Sequence, residues 1–499
     1  MLGMSTAAPA EGTRPAQPLR GLLTRRTVLG AAAAGGAGIA ALRLLSLAPA
    51  AQQALSRARG NGVDWLSPLG SETARVNHLL RRTTFGASAA ELEQARSDGY
   101  NRTLDRILET PPQQPPAYQS ASGYGVNATA LTTWWFQHML TSRTPFAERM
   151  TLFWHNHFTS DYRKVGLQVP FIHWQNLTWR NMAMTDLGSM LTKVTTDPAM
   201  LRYLDLATST GSNPNENYSR ELMELFTLGV GNYSEDDVRA AAKALAGWKE
   251  PAPDGSVEVT LDKQNAITKQ NAITKRYPTW TAPQPGQFQA SRGYRGAPFK
   301  FLGKTAAWNT DTVLKQLLAQ PATAEFIARK VTVHFVTPQP DGAYVKRLAD
   351  KFRSSHYDMR TLMREVFTSP EFTSSNYRTL VKSPIEYMVS VLKALGNTSP
   401  PAAALAGTSS HSMGQVPFDP PDVGGWPNND SWVSSNTMLG RVNFATAALT
   451  LTKQPPAAAS ALEHLDSVLG KQTAGLLNHA ADDHARWFLA LASPEFQLK

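Results

Sequence analysis

The sequence predicts an all-α protein, one large multi-helical domain carrying an irregular basic loop insertion. Three observations support this. Apolar residues recur at helical spacing through most of the chain. Capping residues and Pro stand ahead of these runs and Gly behind them. Alternating strand-like runs are few. At 499 residues, with 42% hydrophobic and 18% charged residues, the chain can bury a large core.

The N-terminus reads as an export signal. Thr24-Arg25-Arg26-Thr27-Val28-Leu29 precedes an Ala/Gly-rich run over 30–41, and Ala48-Pro49-Ala50 offers small residues for a signal peptidase. Paired arginines, a weakly hydrophobic core and a small-residue site together predict a twin-arginine (Tat) signal over 1–50. A membrane anchor is the alternative, but the apolar run is short and Arg43 interrupts it. The mature protein is expected to start near Ala51, outside the cytoplasm, with 51–70 as a linker and 71–499 as the helical domain.

Helices are expected over 74–82, 89–97 and 100–108, the second capped by Ser88 with Glu91 three residues on. Residues 109–126 read as a Pro/Gln/Ser/Gly loop. Apolar helices follow over 128–139 and 145–158, the second ending His155-Asn156-His157-Phe158. Histidine is a common metal ligand, but residues at i, i+2 do not share a helix face, so the pair converges only if the helix unwinds there. A divalent metal on His155 and His157 is one expectation, and separate buried or capping roles are the other. Helical spacing continues over 169–182 and 187–195.

The stretch Asn213 to Tyr233 is the most patterned in the chain. Glu216, Asn217, Arg220, Glu221 and Glu224 fall on one side of a helical wheel, with Tyr218, Leu222, Leu225 and Phe226 opposite. Pro214 precedes it, and Gly229 and Gly231 stop it. Glu216–Arg220–Glu224 is an i, i+4, i+8 ladder. It is read either as a solvated face laced with ion pairs or as an interior polar cluster holding a site. Ser234 and its acidic neighbours open another helix, to Trp248.

Residues 249–310 change character. KQNAIT occurs twice in tandem, at 263–268 and 269–274. From Lys263 to Thr310 there are eight Lys or Arg and no Asp or Glu, interleaved with aromatics that include Trp280. Such a segment either binds a polyanion or sugar polymer or is an excursion pinned to the core by its aromatics. The helical pattern returns from 313 to 395. Residues 397–437 read mostly as loop, and Gln415 and the Gly/Pro/Trp run around Trp426 either pack a turn on the core or line a cleft. Helices over 439–452 and 457–492 finish the chain.

Absent features exclude several chemistries. There is no cysteine, hence no disulfide, thiolate metal site or Cys nucleophile. No phosphate-binding loop, dinucleotide fingerprint, His-Glu-x-x-His or Gly-x-Ser-x-Gly is present. The net charge of +10 falls to +6 without residues 1–50, which hold five Arg and one Glu (44 basic against 38 acidic), too small an excess for a nucleic-acid binder.

Asn215-Glu216-Asn217-Tyr218-Ser219-Arg220-Glu221-Leu222-Met223-Glu224-Leu225-Phe226-Thr227-Leu228-Gly229 resembles, nearly letter for letter, the hallmark of the DUF1800 family. Collinear segments agree: Arg82 with Phe85-Gly86, Phe153 to Phe158, Asp197-Pro198-Ala199-Met200, Pro321-Ala322-Thr323 with Ile327-Ala328-Arg329-Lys330, Ser369-Pro370-Glu371-Phe372, and Met413-Gly414-Gln415 through Gly425-Trp426-Pro427. The resemblance covers about 74–450. It implies a bacterial, often exported protein of no assigned activity, commonly encoded beside the exported, sulfatase-like DUF1501 family, whose members are candidate partners. Members usually carry a His-Asp pair where this chain has Tyr294 and Arg295, which weakens a metal or acid/base role here.

Two functions remain open. In an exported enzyme, Glu216, Glu221 and Glu224 supply carboxylates, His155 and His157 imidazoles, and Arg220 holds an anion or tunes a carboxylate, for metal-assisted or acid/base hydrolysis of an envelope polymer. In a binding scaffold, the insertion with Trp280, Arg292, Arg295, Lys300 and Lys304, together with Gln415 and Trp426, contacts an anionic wall polymer or a co-exported partner. Neither involves nucleic acid or a transmembrane helix in the mature chain.

Overall fold

Helix α1 (Glu72–Thr83) is capped by Ser71, and α2 (Ala89–Glu109) by a box in which Ser88 N–H donates to Glu91 Oε2 at 2.6 Å. The two helices expected within α2 are one element bent at Gly99, whose φ of 74° allows the break. The computed structural model describes residues 67–118, 125–251 and 283–499, all within one compact unit. The signal, the first part of the linker, the KQNAIT repeat and Trp280 lie outside the described residues.

Next come α3 (Ala128–Thr141), α4 (Pro145–His157), α5 (Tyr162–Val165), α6 (Phe171–Met182), α7 (Leu187–Thr196) and α8 (Pro198–Tyr203). Helix α4 starts on Pro145, where a missing N–H costs nothing, and buries nearly every side chain it carries. The hallmark stretch forms the short helix α9 (Asn217–Glu224), and α10 (Glu235–Leu245) opens with a Ser234/Asp237 capping box.

The basic insertion is more ordered than expected over 283–310. Strand β1 (Trp248–Lys249) pairs antiparallel with β2 (Gln287–Phe288), and β3 (Phe299–Phe301) pairs with β4 (Lys304–Ala306). Leu302 and Gly303, with φ of 44° and 81°, make the two-residue turn of this second hairpin. Leu302 N–H donates to Asp237 Oδ1 at 2.7 Å, which ties the turn to the start of α10.

The remaining helices are α11 (Thr310–Ala319), α12 (Pro321–Phe335), α13 (Gly342–Ser354), α14 (Met359–Thr368), α15 (Pro384–Ala394), α16 (Pro400–Met413), α17 (Ser435–Leu451), α18 (Ala459–His464), α19 (Lys471–Asn478), α20 (Asp483–Ala492) and α21 (Pro494–Gln497). Helix α16 corrects the reading of 397–437 as mostly loop. Its inner face is Ala402, Ala403, Ala406 and Gly407, too small to mark an apolar stripe in the sequence but suited to close packing on α3 and α17. A Cβ on Gly407 would stand 3.2 Å from Thr133 Oγ1. The helix expected over 457–492 divides at Asp466 and Ser467, both with φ of 54°. No described helix is long and apolar enough to cross a membrane. The main apolar cluster draws on residues from Val76 to Phe372, and the segment 380–382 pairs with 497–499 beside it.

Candidate functional site

The hallmark helix α9 presents its polar face to solvent. Arg220 donates to Glu235 at 2.7 and 2.8 Å and more weakly to Glu216 at 3.4 Å, with side-chain exposures of 34%, 59% and 38%. The ladder therefore runs Glu216–Arg220–Glu235 and does not include Glu224, which accepts from the Tyr233 hydroxyl at 2.5 Å. Burial and the like charge of Glu224 raise the Glu221 carboxyl above its ordinary value. On the opposite face Tyr218, Leu222, Met223 and Phe226 are fully buried, and the Tyr218 hydroxyl donates to Thr195 Oγ1 at 2.8 Å.

The two histidines go separate ways. His155 Nε2 accepts from Asn176 Nδ2 at 3.1 Å, and its ring lies against Trp135 and Phe418. Burial, assisted by Arg180, lowers it to about 3. His157 Nε2–H donates to the Phe226 carbonyl at 3.1 Å, so its Nδ1 is a bare acceptor with no partner among the described residues. Burial, reinforced by Lys330, holds His157 well below 6.5 and neutral. His155 and His157 therefore meet different partners and do not face one another, because residues two apart at the end of α4 point to different sides. Among the described residues no three His, Asp or Glu converge to hold a metal ion.

A buried ionic system that the sequence did not reveal runs along α4. Glu148, fully buried, accepts from Arg180 Nε at 2.5 Å and Nη2 at 2.9 Å and from Trp135 Nε1 at 2.9 Å, and His138 Nε2 lies 3.2 Å away. Burial alone would raise this carboxyl, but Arg180 and His138 outweigh it and hold it at about 2. The next residue, Arg149, lies against the Glu386 carboxylate, which also meets Lys499. Arg149 Nη2 donates to His334 Nε2 at 3.3 Å, and burial brings Arg149 down to about 9.

Beside this system three of the segments that carry the family resemblance, 153–158, 327–330 and 413–427, converge on a cleft. Phe153 and His157 of α4, Phe326, Arg329 and Lys330 of α12, and Gly424 line a space of about 260 Å³. Asn156, Val333, His334 and Asn428 continue into a narrow extension bounded by Gln415 and Trp432. The loop over 424–428 is locked by Asn156, whose Oδ1 accepts from Trp426 N–H at 2.6 Å. Gly425, at φ 87°, is required here, since a Cβ would stand 2.4 Å from that same oxygen. Gln415 and Trp426 are buried frame residues: Gln415 Oε1 accepts from Ile385 N–H at 3.0 Å.

Among the described residues no Asp or Glu lines the wider part of the cleft. Arg329 is exposed and makes no hydrogen bond or ion pair with any described residue. Among the described residues Lys330 has only the face of Phe326, 5.2 Å from the ring centre, and burial lowers its ammonium below its ordinary value. In the sequence Arg329, Lys330 and Asn156 stand only as parts of motifs, and no local pattern marks them as facing one cleft.

The insertion residues stand elsewhere. Arg292 spends its guanidinium on the carbonyls of Ala207 and Thr208, both at 3.3 Å, and so staples the segment to the body. Arg295 donates to the Ala290 carbonyl at 3.2 Å, and Lys300 and Lys304 are exposed. The Tyr294 ring lies 5.9 Å from Lys243 Nζ.

No curated protein and no solved structure matches the chain. A family model described as "Protein of unknown function (DUF1800)" matches residues 78–498, which take in α9, both walls of the cleft and the buried ionic system apart from Lys499. The chain belongs to the DUF1800 family.

Proposed function

We propose that this DUF1800 protein is exported by the Tat route and works in the envelope as a binding protein, holding anionic groups of a wall polymer in the α4–α12 cleft. The observation that carries the reading is a cleft with two cations, Arg329 and Lys330, no facing carboxylate and no ion-pair partner among the described residues. Burial lowers the Lys330 ammonium below its ordinary value, and an anion entering beside it would offset that burial and raise it again. Asn156, whose Oδ1 is already spent on the loop, keeps its amide N–H groups for a ligand, and His157 Nδ1 can accept from a hydroxyl. Anion plus hydroxyl is the chemistry of a polyol phosphate.

The test is calorimetric titration of the mature chain with a glycerol phosphate oligomer, with dextran as the neutral control. Saturable binding that weakens with salt and falls at least tenfold in Arg329→Gln/Lys330→Met supports the reading. Binding that is absent, or equal in the variant, overturns it. Export is tested by fusing residues 1–60 to a reporter, which should stay inside the cell when Arg25 and Arg26 are both changed to Lys.

A second reading, catalysis by the carboxylates of α9, is favoured by Glu221, which is only partly exposed and has a raised pKa beside Glu224. Glu221→Gln that folds normally but no longer degrades wall material would support it. Unaltered behaviour would remove it.

A further inference from the structure

A second cavity, of about 220 Å³, opens where α1, α2, α4 and α14 meet, and it shares no lining residue with the cleft. Its inner wall is apolar: Leu80, Ile107, Phe146, Ala147, Ala183 and Met184. Its polar groups are mostly committed. The Thr84 and Thr185 hydroxyls donate to the carbonyls of Leu80 and Met182 at 2.6 and 2.9 Å. The Glu91 carboxylate takes Lys393 at 2.8 and 3.0 Å and the Ser88 N–H at 2.6 Å. Arg106 pairs with Asp98 at 3.1 Å, and Arg180 is held by Glu148.

Two guanidinium groups remain. Arg143 is exposed and its side chain makes no hydrogen bond or ion pair with a described residue. Arg360 commits only Nε, to the Leu108 carbonyl at 3.3 Å. Both line the same cavity. An apolar cavity of roughly 150 Å³ is enough to take up a benzene ring, so this one has room for a single aromatic ring or a medium acyl chain. Guanidinium forks bind carboxylate or phosphate in a two-pronged manner.

We propose that this cavity binds a small amphiphilic anion, its apolar body against Phe146 and Met184 and its head group held by Arg143 and Arg360. The lining excludes two simpler ligands. A bare inorganic anion would leave the apolar wall empty, and a neutral hydrocarbon would make no use of the two free guanidiniums. The ligand class differs from that of the cleft, where the cations are flanked by the hydrogen-bonding groups of Asn156 and His157.

The proposal is tested on the mature chain by titration with octanoate, octyl phosphate, octanol and inorganic phosphate. Octanoate or octyl phosphate should saturate, and which of them binds tighter identifies the head group; octanol and phosphate should bind at least tenfold more weakly. Arg143→Gln/Arg360→Gln should cost the amphiphilic anion at least tenfold and leave octanol unchanged. Ile107→Trp, which fills the inner space, should weaken octanoate and octanol together. Arg329→Gln/Lys330→Met should leave octanoate binding untouched, which separates this site from the cleft. Each variant is checked by its thermal melt. No saturable binding of either anion, or wild-type affinity in the well-folded arginine variant, overturns the proposal.

Discussion

Helices α4 and α9 both carry acid and base, and they use them in opposite ways. On α9 the charges stand at i, i+4 spacing on one face, half exposed, with Arg220 shared between Glu216 and Glu235. On α4 Glu148 and Arg149 are adjacent in sequence, fully buried, and reach different partners, Arg180 in one direction and Glu386 in the other. Charges that make a visible pattern mark where a helix meets water. Charges that fix packing follow no such period, each needing a partner from another element because an unpaired buried ion costs several kcal/mol.

The largest test of that contrast is Glu148→Gln. It strands the Arg180 guanidinium in the core and should cost about 3–5 kcal/mol of stability in denaturant titration. Replacing both partners by apolar residues, Glu148→Leu with Arg180→Met, should recover part of the loss. Recovery is incomplete because Trp135 Nε1–H and His138 also lose their acceptor. The pH dependence has a definite sign. A carboxyl held at about 2 against an ordinary 4.5 contributes stability that is complete above 4.5 and is lost as pH falls through 2. The wild type should therefore lose stability over that window and the variant should not.

Glu386→Gln comes next, at about 2 kcal/mol, because it weakens the contacts with Arg149 and Lys499 while keeping an acceptor for the Ser383 N–H. Lys499, already well below its ordinary pKa through burial and the nearby Arg149 and Arg82, can release its proton and soften the loss. A cost equal to that of Glu148→Gln would show that the two halves of the α4 system are equally rigid.

These residues also explain what the sequence could and could not show. The helical class was legible because amphipathic periods and caps are local, as at Ser88, Ser234 and Pro145. Helix α16 was not, because an alanine face has no hydropathic contrast. The split of His155 from His157 followed from helix geometry, but their partners, Asn176 and the Phe226 carbonyl, are 21 and 69 residues away. Arg329 and Lys330 were visible as letters of a motif. That they face a cleft without a carboxylate depends on how α12 packs on α4, which no local pattern records. The α9 ladder was legible in position but assigned one wrong partner, since Glu235 beyond the turn outcompetes Glu224 for Arg220.

Asp197 sharpens the comparison from the other side, as a buried carboxylate with no cation beside it among the described residues. It caps α8 through Met200 N–H at 2.9 Å and accepts from Gln175 at 2.8 Å. Burial, only partly offset by these donors, raises it to about 7. A raised carboxyl binds its proton more tightly when folded, so stability is lost as pH rises from 3.8 towards 7. Asparagine keeps the capping oxygen without the charge. Asp197→Asn should be close to neutral at pH 4 and should gain about 1–2 kcal/mol at pH 8, read from paired denaturation curves.

The smallest effect should come from the most conspicuous residue. Arg220→Ala removes both ion pairs of the α9 face, yet every charge it leaves behind is hydrated, so no buried ion is stranded. Its melting temperature should fall by about 2 °C or less, and added salt should shrink even that difference. Tyr218→Phe on the opposite face of the same helix touches a fully buried hydroxyl that donates to Thr195, and should cost more although it changes no charge. If Arg220→Ala instead proves the more damaging of the two, the α9 face is not merely solvated. Its carboxylates would then be held together by Arg220 against their mutual repulsion, with Glu221 and Glu224 the first to feel its loss, and the catalytic reading of that face would move ahead of the cleft.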